Sequence, residues 1–196
     1  MPSVNDAVKQ TDNKFLNIFE LDAVRRDGTH FPYQVASRAR EVSDLKAISG
    51  KNNADAVAIF GVCDVDNRAA VVLVRQYRYP VGGYIYELPA GLIDAGESAV
   101  DAAKREMVEE TGMEFTPTED AKSYRPFFSS PGMTDESVVV IHGLCCGTPT
   151  NINQEKSEDI QVVLADYDEC IRILNEENVD MRTGVMLKLF IALGGR

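Results

Sequence analysis

The sequence predicts an α/β fold of the α+β type, in which a mixed β-sheet core is sandwiched by helices. Paired segments rich in valine and isoleucine are separated by turn residues, which indicates strands joined by short connections. Other segments place apolar residues at helical spacing. Because strands and helices do not alternate in a strict βαβ rhythm, the pattern favours mixed sheets over a purely parallel one.

The N-terminal part of the chain predicts a small antiparallel sheet. Residues 1–13 are polar, and we expect them to form a frayed arm. Apolar residues roughly alternate in Leu16–Ser37 on both sides of a turn at Gly28, which predicts a hairpin. Ala54–Asp64 and Ala69–Tyr77 predict a second strand pair, with turn residues between them.

The middle of the chain predicts a strand, a loop and a helix. The strand covers Tyr84–Leu88, and the loop covers residues 90–97. Ser98 is a favoured N-cap residue, so the helix is expected to begin there and to run to Thr111. Gly112 stands where a left-handed residue commonly ends a helix.

The remaining elements are predicted from apolar spacing. Strands are expected at Lys122–Phe128, Ser137–Cys145 and Asp159–Leu164. Helices are expected at Asp166–Leu174 and Met181–Leu193, the second with Val185, Leu189 and Phe190 on one face.

Composition excludes several classes of protein. A net charge of −11 disfavours nucleic acid as a partner, because phosphate backbones are bound by clustered lysine and arginine. No apolar run approaches the roughly 20 residues that span a bilayer, and the N-terminus lacks a signal-peptide pattern. We therefore expect a soluble, cytoplasmic protein that binds neither nucleic acid nor membrane.

The four cysteines and two histidines do not indicate a catalytic centre. The cysteines have no zinc-site spacing, and buried reduced thiols are expected, with Cys145 and Cys146 contributing to strand packing. His30 and His142 are expected to be structural. Neither a serine-nucleophile elbow nor a phosphate-binding GxxxxGK[ST] loop is present in the sequence.

The residues with the strongest chemical signal are three glutamates in the last turn of the central predicted helix. Glu106, Glu109 and Glu110 are three and four residues apart, so a helix makes them neighbours. Acidic side chains at a helix C-terminus are each disfavoured by about 0.3–1 kcal/mol. A hard cation such as Mg²⁺, which takes oxygen ligands, would compensate that cost. A solvated acidic face is the alternative interpretation.

The spacing around these glutamates favours the metal site. The segment GLIDAGESAVDAAKREMVEETGM, residues 91–113, matches the pattern G-x5-E-x7-R-E-U-x-E-E-x-G-U, with methionine at both aliphatic (U) positions. A chance match to its seven fixed letters is on the order of one in a million. On this segment the chain resembles the Nudix hydrolase superfamily, which implies the Nudix fold and metal-assisted attack of water on a diphosphate.

The resemblance also implies roles for individual residues. It implies that Glu106, Glu110 and the backbone carbonyl of Ala90 are metal ligands. Glu109 is implied to be a metal ligand or a catalytic residue. Glu97 is implied to orient the helix glutamates or Arg105. Independently of the resemblance, Arg105 stands beside the helix glutamates and is expected to hold a carboxylate by a bidentate pair that fixes its rotamer. Mg²⁺ is the expected ion, with Mn²⁺ as an alternative, and the cation would neutralise diphosphate oxygens and acidify a water molecule.

Sequences on both sides of residues 91–113 resemble the ADP-ribose pyrophosphatase branch, whose members act on nucleoside diphosphate sugars. The segment RQYRYP at residues 75–80 and the segment SPGMTDE at residues 130–136 carry this resemblance. It implies that Arg38 and Arg78 bind phosphates and that Tyr33 stacks on adenine. The alternatives are that Arg78 is a surface charge or pairs with a carboxylate, and that Tyr33 lies in the core.

The loop at residues 129–136 is expected to carry the group that acts on water. Pro131 restricts the backbone angles of this loop, whereas Gly132 permits angles that other residues rarely adopt. The resemblance implies that a loop glutamate positions or deprotonates the attacking water, and Glu136 is the matching residue. Asp135 is the competing candidate, and a solvated turn glutamate is the structural alternative.

The expected organisation is an N-terminal sheet at residues 1–50, which contributes to a homodimer, and a Nudix hydrolase domain at residues 51–196. The expected reaction is hydrolysis of ADP-ribose to AMP and ribose 5-phosphate. Alternatives are hydrolysis of another ADP-sugar, NADH, FAD or an oxidised nucleoside triphosphate, and a sensor that binds ADP-ribose without cutting it.

Overall fold

A computed structural model describes residues 1–119, 125–154 and 159–195 of the chain. These residues divide into two units. The first unit comprises Met1–Asp55 and Arg125–Val138, and the second unit holds the rest of the described chain. In the described residues no helix has both the length and the apolar character needed to cross a bilayer.

The first unit contains a three-stranded antiparallel sheet in which β2 lies between β1 and β3. The strands are β1 (Ser3–Lys9), β2 (Asn17–Val24) and β3 (His30–Ser37). Every second residue of β2 is buried, and Phe19 and Leu21 form a small core with Leu45. The predicted hairpin is thus confirmed, and the predicted small N-terminal antiparallel sheet is present.

The expectation of a frayed arm at residues 1–13 is wrong, because β1 pairs along the open edge of β2. Only Ala7 of β1 is buried, so the strand has almost no hydrophobic alternation that could have predicted it. Its backbone groups are satisfied by pairing with a strand that the rest of the unit already holds in place.

The remaining elements of the first unit are short. They are a 3₁₀ turn at Val42–Asp44, helix α1 (Lys46–Ser49) and strand β9 (Phe127–Phe128). Strand β9 pairs with Ser137 and Val138, the first residues of β10 (Ser137–Cys146). Of the strand predicted at Lys122–Phe128, residues 122–124 lie outside the described residues, and the strand that is described covers only its last two positions.

The second unit is built on a sheet whose main strand order is β11-β5-β4-β10-β8, with β6 paired to β5 and β7 paired to β4. Its further strands are β4 (Ala56–Val65), β5 (Arg68–Arg78), β6 (Gly83–Glu87), β7 (Ala90–Leu92), β8 (Glu114–Pro117) and β11 (Ile160–Ala165). Strands β4 and β5 form the predicted hairpin, and Asp66 and Asn67 in its turn have φ angles of 53° and 64°. Positive φ at both positions is typical of a type I′ turn.

The described residues of the second unit also form the helices α2 (Ala99–Thr111), α3 (Tyr167–Glu176) and α4 (Met181–Ala192). Helix α2 contacts β4, β7 and β8, whereas α3 and α4 pack against each other. Helix α4 buries Thr183, Leu187 and Phe190. The face expected from the sequence is therefore wrong in part, because Val185 and Leu189 are exposed. A helix with apolar residues on several sides does not reveal which side the sheet will cover.

Three of the four thiols are buried as expected, and none forms a disulfide. Cys146 differs, because its side chain is exposed whereas that of Cys145 is buried. Adjacent residues of a strand point to opposite faces of the sheet. Of the two cysteines expected to contribute to strand packing, only Cys145 is therefore buried.

Candidate active site

Helix α2 presents the glutamates predicted to bind metal. Its first turn is capped by Ser98, whose Oγ accepts a hydrogen bond from the Asp101 backbone N–H at 3.1 Å. It ends at Gly112, which has a left-handed φ of 71°. Glu106, Glu109 and Glu110 therefore fall in the last turns of a helix whose two ends are fixed by local sequence.

Arg105 brings three carboxylates and a backbone carbonyl together. Its Nε and Nη2 donate to Oε1 and Oε2 of Glu97 at 3.0 and 2.9 Å, which is a bidentate pair. Its Nη1 donates to Glu106 at 2.7 Å and to Glu109 at 2.9 Å. Its Nη2 also reaches the carbonyl oxygen of Leu92 at 3.0 Å. One guanidinium thus connects the loop before the helix with the acidic end of the helix.

The electrostatics of this network favour the charged forms. The Arg105 hydrogen bonds lower the pKa of the Glu97 carboxyl below its ordinary value, and the backbone of Asp94 contributes. The same bond to Glu97, followed by those to Glu106 and Glu109, raises the pKa of Arg105. Arg105 is therefore a permanent cation that stabilises a compact group of anions.

Close approach of the backbone fixes the Glu106 carboxylate. A Cβ on Gly91 would lie 1.9 Å from Cδ and Oε1 of Glu106, so that no larger residue fits there without moving the glutamate. The next residue back, Ala90, donates its backbone N–H to Glu110 Oε2 at 3.0 Å. Strand β7, which the sequence predicted as loop, thereby contacts two of the predicted metal ligands.

The chemistry of these donors fits a hard divalent cation. The predicted ligands are carboxylate oxygens and one backbone carbonyl, the donor types that Mg²⁺ prefers. Among residues 1–119, 125–154 and 159–195, no three His, Cys, Asp or Glu side chains converge as a metal-binding group. The network explains this, since Arg105 holds Glu106 and Glu109 while Glu110 turns to Ala90. Binding a cation would require these carboxylates to exchange partners.

Arg78, predicted to contact phosphate, has a carboxylate partner in the second unit. Its Nε donates to Oε2 of Glu87 at 2.6 Å, and the Glu87 side chain is only 9% exposed. Of the alternatives considered for Arg78, the structure thus contains the ion pair with a carboxylate. Because guanidinium has five N–H donors, this pair leaves others for a phosphate.

Helix α4 positions the segment that leads into the site, a role the sequence did not predict. The buried Thr183 Oγ1 accepts a hydrogen bond from the Leu88 backbone N–H at 2.8 Å. Asp180 caps the helix, and its own N–H donates to the Tyr86 carbonyl at 3.0 Å. Aspartate is a favoured N-cap residue, so the role of Asp180 could be predicted from the local sequence. Thr183 lies 95 positions from Leu88, and nothing in the sequence around it indicates this contact.

The first unit brings together Tyr33, Arg38 and Glu136. Arg38 Nε and Glu136 Oε1 form an ion pair at 3.1 Å. The Tyr33 hydroxyl donates to the Gly132 carbonyl at 2.7 Å, so this side chain contacts the same loop. Asp135, the competing candidate, instead accepts the Lys46 backbone N–H through its carboxylate at 3.2 Å. Loop residues 132–136 are therefore tied to β3 and α1 of their own unit.

Comparison with known proteins gives a family. A model of the NUDIX domain matches residues 52–185. Putative nudix hydrolase 2 of Caenorhabditis elegans is 39% identical over 119 residues, which are 58% of this chain and 52% of that protein. The ADP-ribose pyrophosphatase of Bacillus subtilis is 35% identical over 106 residues, which are 50% of this chain and 54% of that protein. The ADP-sugar pyrophosphatase of Mus musculus is 44% identical over 77 residues, which are 39% of this chain and 35% of that protein.

The chain spans about half the length of the first of these curated relatives. A solved structure described as an ADP compounds hydrolase aligns with 100% of this chain and 97% of its own, with a TM-score of 0.68 and 17% identity. That likeness shows the fold. Because the family model covers most of the chain, including the glutamate helix and its preceding loop, the chain belongs to the NUDIX domain family.

Proposed function

We propose that this protein hydrolyses the diphosphate bond of ADP-ribose, giving AMP and ribose 5-phosphate, with Mg²⁺ as cofactor. The observation that carries the proposal is the network in which Arg105 gathers Glu97, Glu106 and Glu109 beside Gly91. Glu106, Glu109 and Glu110 lie towards the negative end of the helix, and the single charge of Arg105 compensates only part of theirs, so a further cation is favoured there. The names of the mouse and Bacillus relatives support an ADP-sugar substrate.

Glu106, Glu109, Glu110 and the carbonyl of Ala90 are the proposed metal ligands. When bound, Mg²⁺ supplies charge neutralisation at the diphosphate and acidifies water. Glu97 acts through Arg105, which keeps the helix carboxylates in a limited set of positions. The protein's contribution is thus to gather the anionic groups before the substrate arrives, and these groups exchange their Arg105 and Ala90 partners when a cation binds.

The proposed substrate contacts come from the flanking segments. Arg38 and Arg78 bind phosphate oxygens, for which a guanidinium fork is well suited. Tyr33 stacks on the adenine ring, and Glu136 positions the attacking water. Because Arg38 holds Glu136 in the structure, we expect a phosphate that attracts Arg38 to release this carboxylate.

The first experiment removes charge from the metal ligands while keeping their shape. Glu106→Gln and Glu110→Gln are each expected to lower kcat/KM for ADP-ribose by about 100-fold or more, since each removes preorganised charge stabilisation. Glu176→Gln on the exposed side of α3 removes the same charge away from the site and serves as control. AMP release is measured by chromatography, and folding by circular dichroism. Wild-type turnover in both folded site variants contradicts the proposal.

The second experiment tests the substrate. We expect kcat/KM for ADP-ribose to exceed that for other nucleoside diphosphate sugars, NADH, FAD and oxidised nucleoside triphosphates. A preference of about tenfold, or 1.4 kcal/mol, for another compound would contradict the substrate assignment. Binding of ADP-ribose in the presence of Mg²⁺ without AMP release would instead identify a sensor.

A further inference from the structure

Lys46 is tied to both sequence neighbours of Glu136. Its backbone N–H donates to the Asp135 carboxylate at 3.2 Å. Its Nζ donates to the Ser137 hydroxyl at 2.5 Å. Residue 136 is therefore flanked on both sides by contacts to one residue, the first of helix α1.

The contact on the Ser137 side is part of a part-buried network. Lys46 Nζ also lies 2.5 Å from Oδ2 of Asp55, and the Lys46 side chain is only 13% exposed. The same Asp55 oxygen accepts the Ser137 backbone N–H at 2.8 Å, while the Ser137 hydroxyl donates to the Asn53 carbonyl at 3.1 Å. Removing a partner from such a network leaves a buried polar group unsatisfied, so the arrangement is well determined.

The backbone of Glu136 is also held. Its N–H donates to Thr134 Oγ1 at 3.1 Å, and its carbonyl accepts from the Ser129 N–H at 3.0 Å. The Glu136 side chain by contrast is 27% exposed, and among the described residues it forms an ion pair with Arg38, which is 40% exposed. The structure thus fixes the main chain at this position and leaves the carboxylate on the surface of its unit.

We infer that Lys46 is a positioning residue for Glu136, acting together with Asp55 through the Asp135 and Ser137 contacts. The inference rests on the proposed function, in which Glu136 places the attacking water. Nothing in the local sequence around Lys46 suggests a catalytic role, since its contacts lie 9, 89 and 91 positions away. Lys46 touches no reacting atom in this scheme.

The kinetic test uses Lys46→Met, which keeps the length of the side chain and removes its charge and its Nζ donors, while the backbone N–H that reaches Asp135 remains. We expect kcat for ADP-ribose to fall about ten- to a hundredfold, because displacement of a reacting group by about 1 Å costs up to that much. KM should stay within about twofold of the wild-type value, as should all parameters of the exposed control Lys51→Met. Equal kinetics of the two lysine variants would overturn the inference.

A double variant asks whether Lys46 acts through Glu136. Glu136→Gln removes the charge of the carboxylate itself, so Lys46→Met should cause little further loss of kcat in that background. A loss as large as in the wild-type background would show a general structural effect and overturn the positioning role. A wild-type protein that releases no AMP would overturn the proposed function and this role with it. An active wild type with an unaffected Lys46→Met variant overturns only the role of Lys46.

Amide hydrogen exchange gives a readout that needs no substrate. In Lys46→Met we expect the amides of residues 134–137 to exchange about tenfold faster, while those of β2 keep their rates. If that variant fails to fold, Ser137→Ala removes the hydroxyl contacts to Lys46 and Asn53 and should give about two- to tenfold faster exchange of the same amides. Unchanged exchange in a folded variant would overturn the inference.

Discussion

At the scale of single residues, the proposed site depends on side chains that bind one another. Arg105 reaches Glu97, which lies in the loop before the helix, as well as Glu106 and Glu109 on the helix itself. The sequence predicted that Arg105 would fix a carboxylate by a bidentate pair, and its pair with Glu97 has that geometry. That it also gathers two helix glutamates follows only from the three-dimensional arrangement.

Gly91→Ala tests the close approach between β7 and helix α2. The added Cβ would overlap the Glu106 carboxylate, so we expect this side chain to move and kcat/KM to fall about tenfold to a hundredfold. The control is Gly83→Ala, since a Cβ at Gly83 meets nothing within 4 Å. A steady-state assay with ADP-ribose and thermal melts of both variants provide the measurement. Full activity of a folded Gly91→Ala protein would contradict the close-packing argument.

The cysteines should differ in their reactivity towards a thiol reagent. Burial raises the pKa of Cys145 and that of Cys170 to about 12 each, and also raises the pKa of Cys63. These groups therefore remain protonated thiols at pH 8, whereas the reagent attacks the thiolate. Because Cys146 is exposed, we expect one rapidly modified thiol in the native protein and four after denaturation. Loss of the fast phase in Cys146→Ser is the check, and more than one fast thiol would contradict the burial pattern.

At the scale of elements, the bounds of helix α2 depend on local sequence, whereas strand β7 depends on tertiary contacts. Its start at Ser98 and its end at Gly112 were predicted from the sequence, because caps are local. Strand β7 was predicted as loop, because three residues are too few to show a period. Its pairing with β4 at Ala58 and Val57 defines it as a strand.

Ser98→Ala should destabilise the protein by about 1 kcal/mol, since the Asp101 N–H loses the cap oxygen. Unfolding by urea, followed by circular dichroism, measures this difference. Ser3→Ala, at an exposed position of β1, is expected to change stability by less than about 0.5 kcal/mol. Equal stability of the two variants would show that the cap contributes nothing to the folded state.

At the scale of the whole molecule, metal binding should be linked to stability. If Mg²⁺ binds only the folded state, saturation at about 100 times Kd adds about 2.7 kcal/mol. For a chain of this size that corresponds to a rise in Tm of about 5–10 °C. The rise should reverse with a chelator and disappear in a Glu106→Gln and Glu110→Gln double variant. An equal shift in that variant would place the stabilising ion elsewhere.

A homodimer formed through the first unit remains a prediction. A two-stranded hairpin alone is marginal and needs a partner surface, but the unit has three strands and its own small core. Its exposed apolar side chains, including those of Val8, Phe15 and Leu16, now give the better reason to expect a partner surface. Sedimentation at several concentrations should show twice the monomer mass of 21.6 kDa. A monomer at all concentrations would contradict the prediction.

The sequence by itself determined the family resemblance, the caps of α2, the main hairpins and the identity of the carboxylates. These features depend on residues within a few positions of one another, and local propensities and fixed spacings record them. The α+β architecture and its small N-terminal antiparallel sheet also followed from such patterns.

Only the tertiary structure decided which groups bind each other. It paired Arg78 with Glu87, placed Arg38 on Glu136, turned Val185 and Leu189 outward, and brought Lys46 to Ser137. The physical reason is that a hydrogen bond between distant chain positions has no periodic signal. It forms where folding brings a donor and an acceptor together, and a partner is obligatory only where the group is buried, as at Ser137.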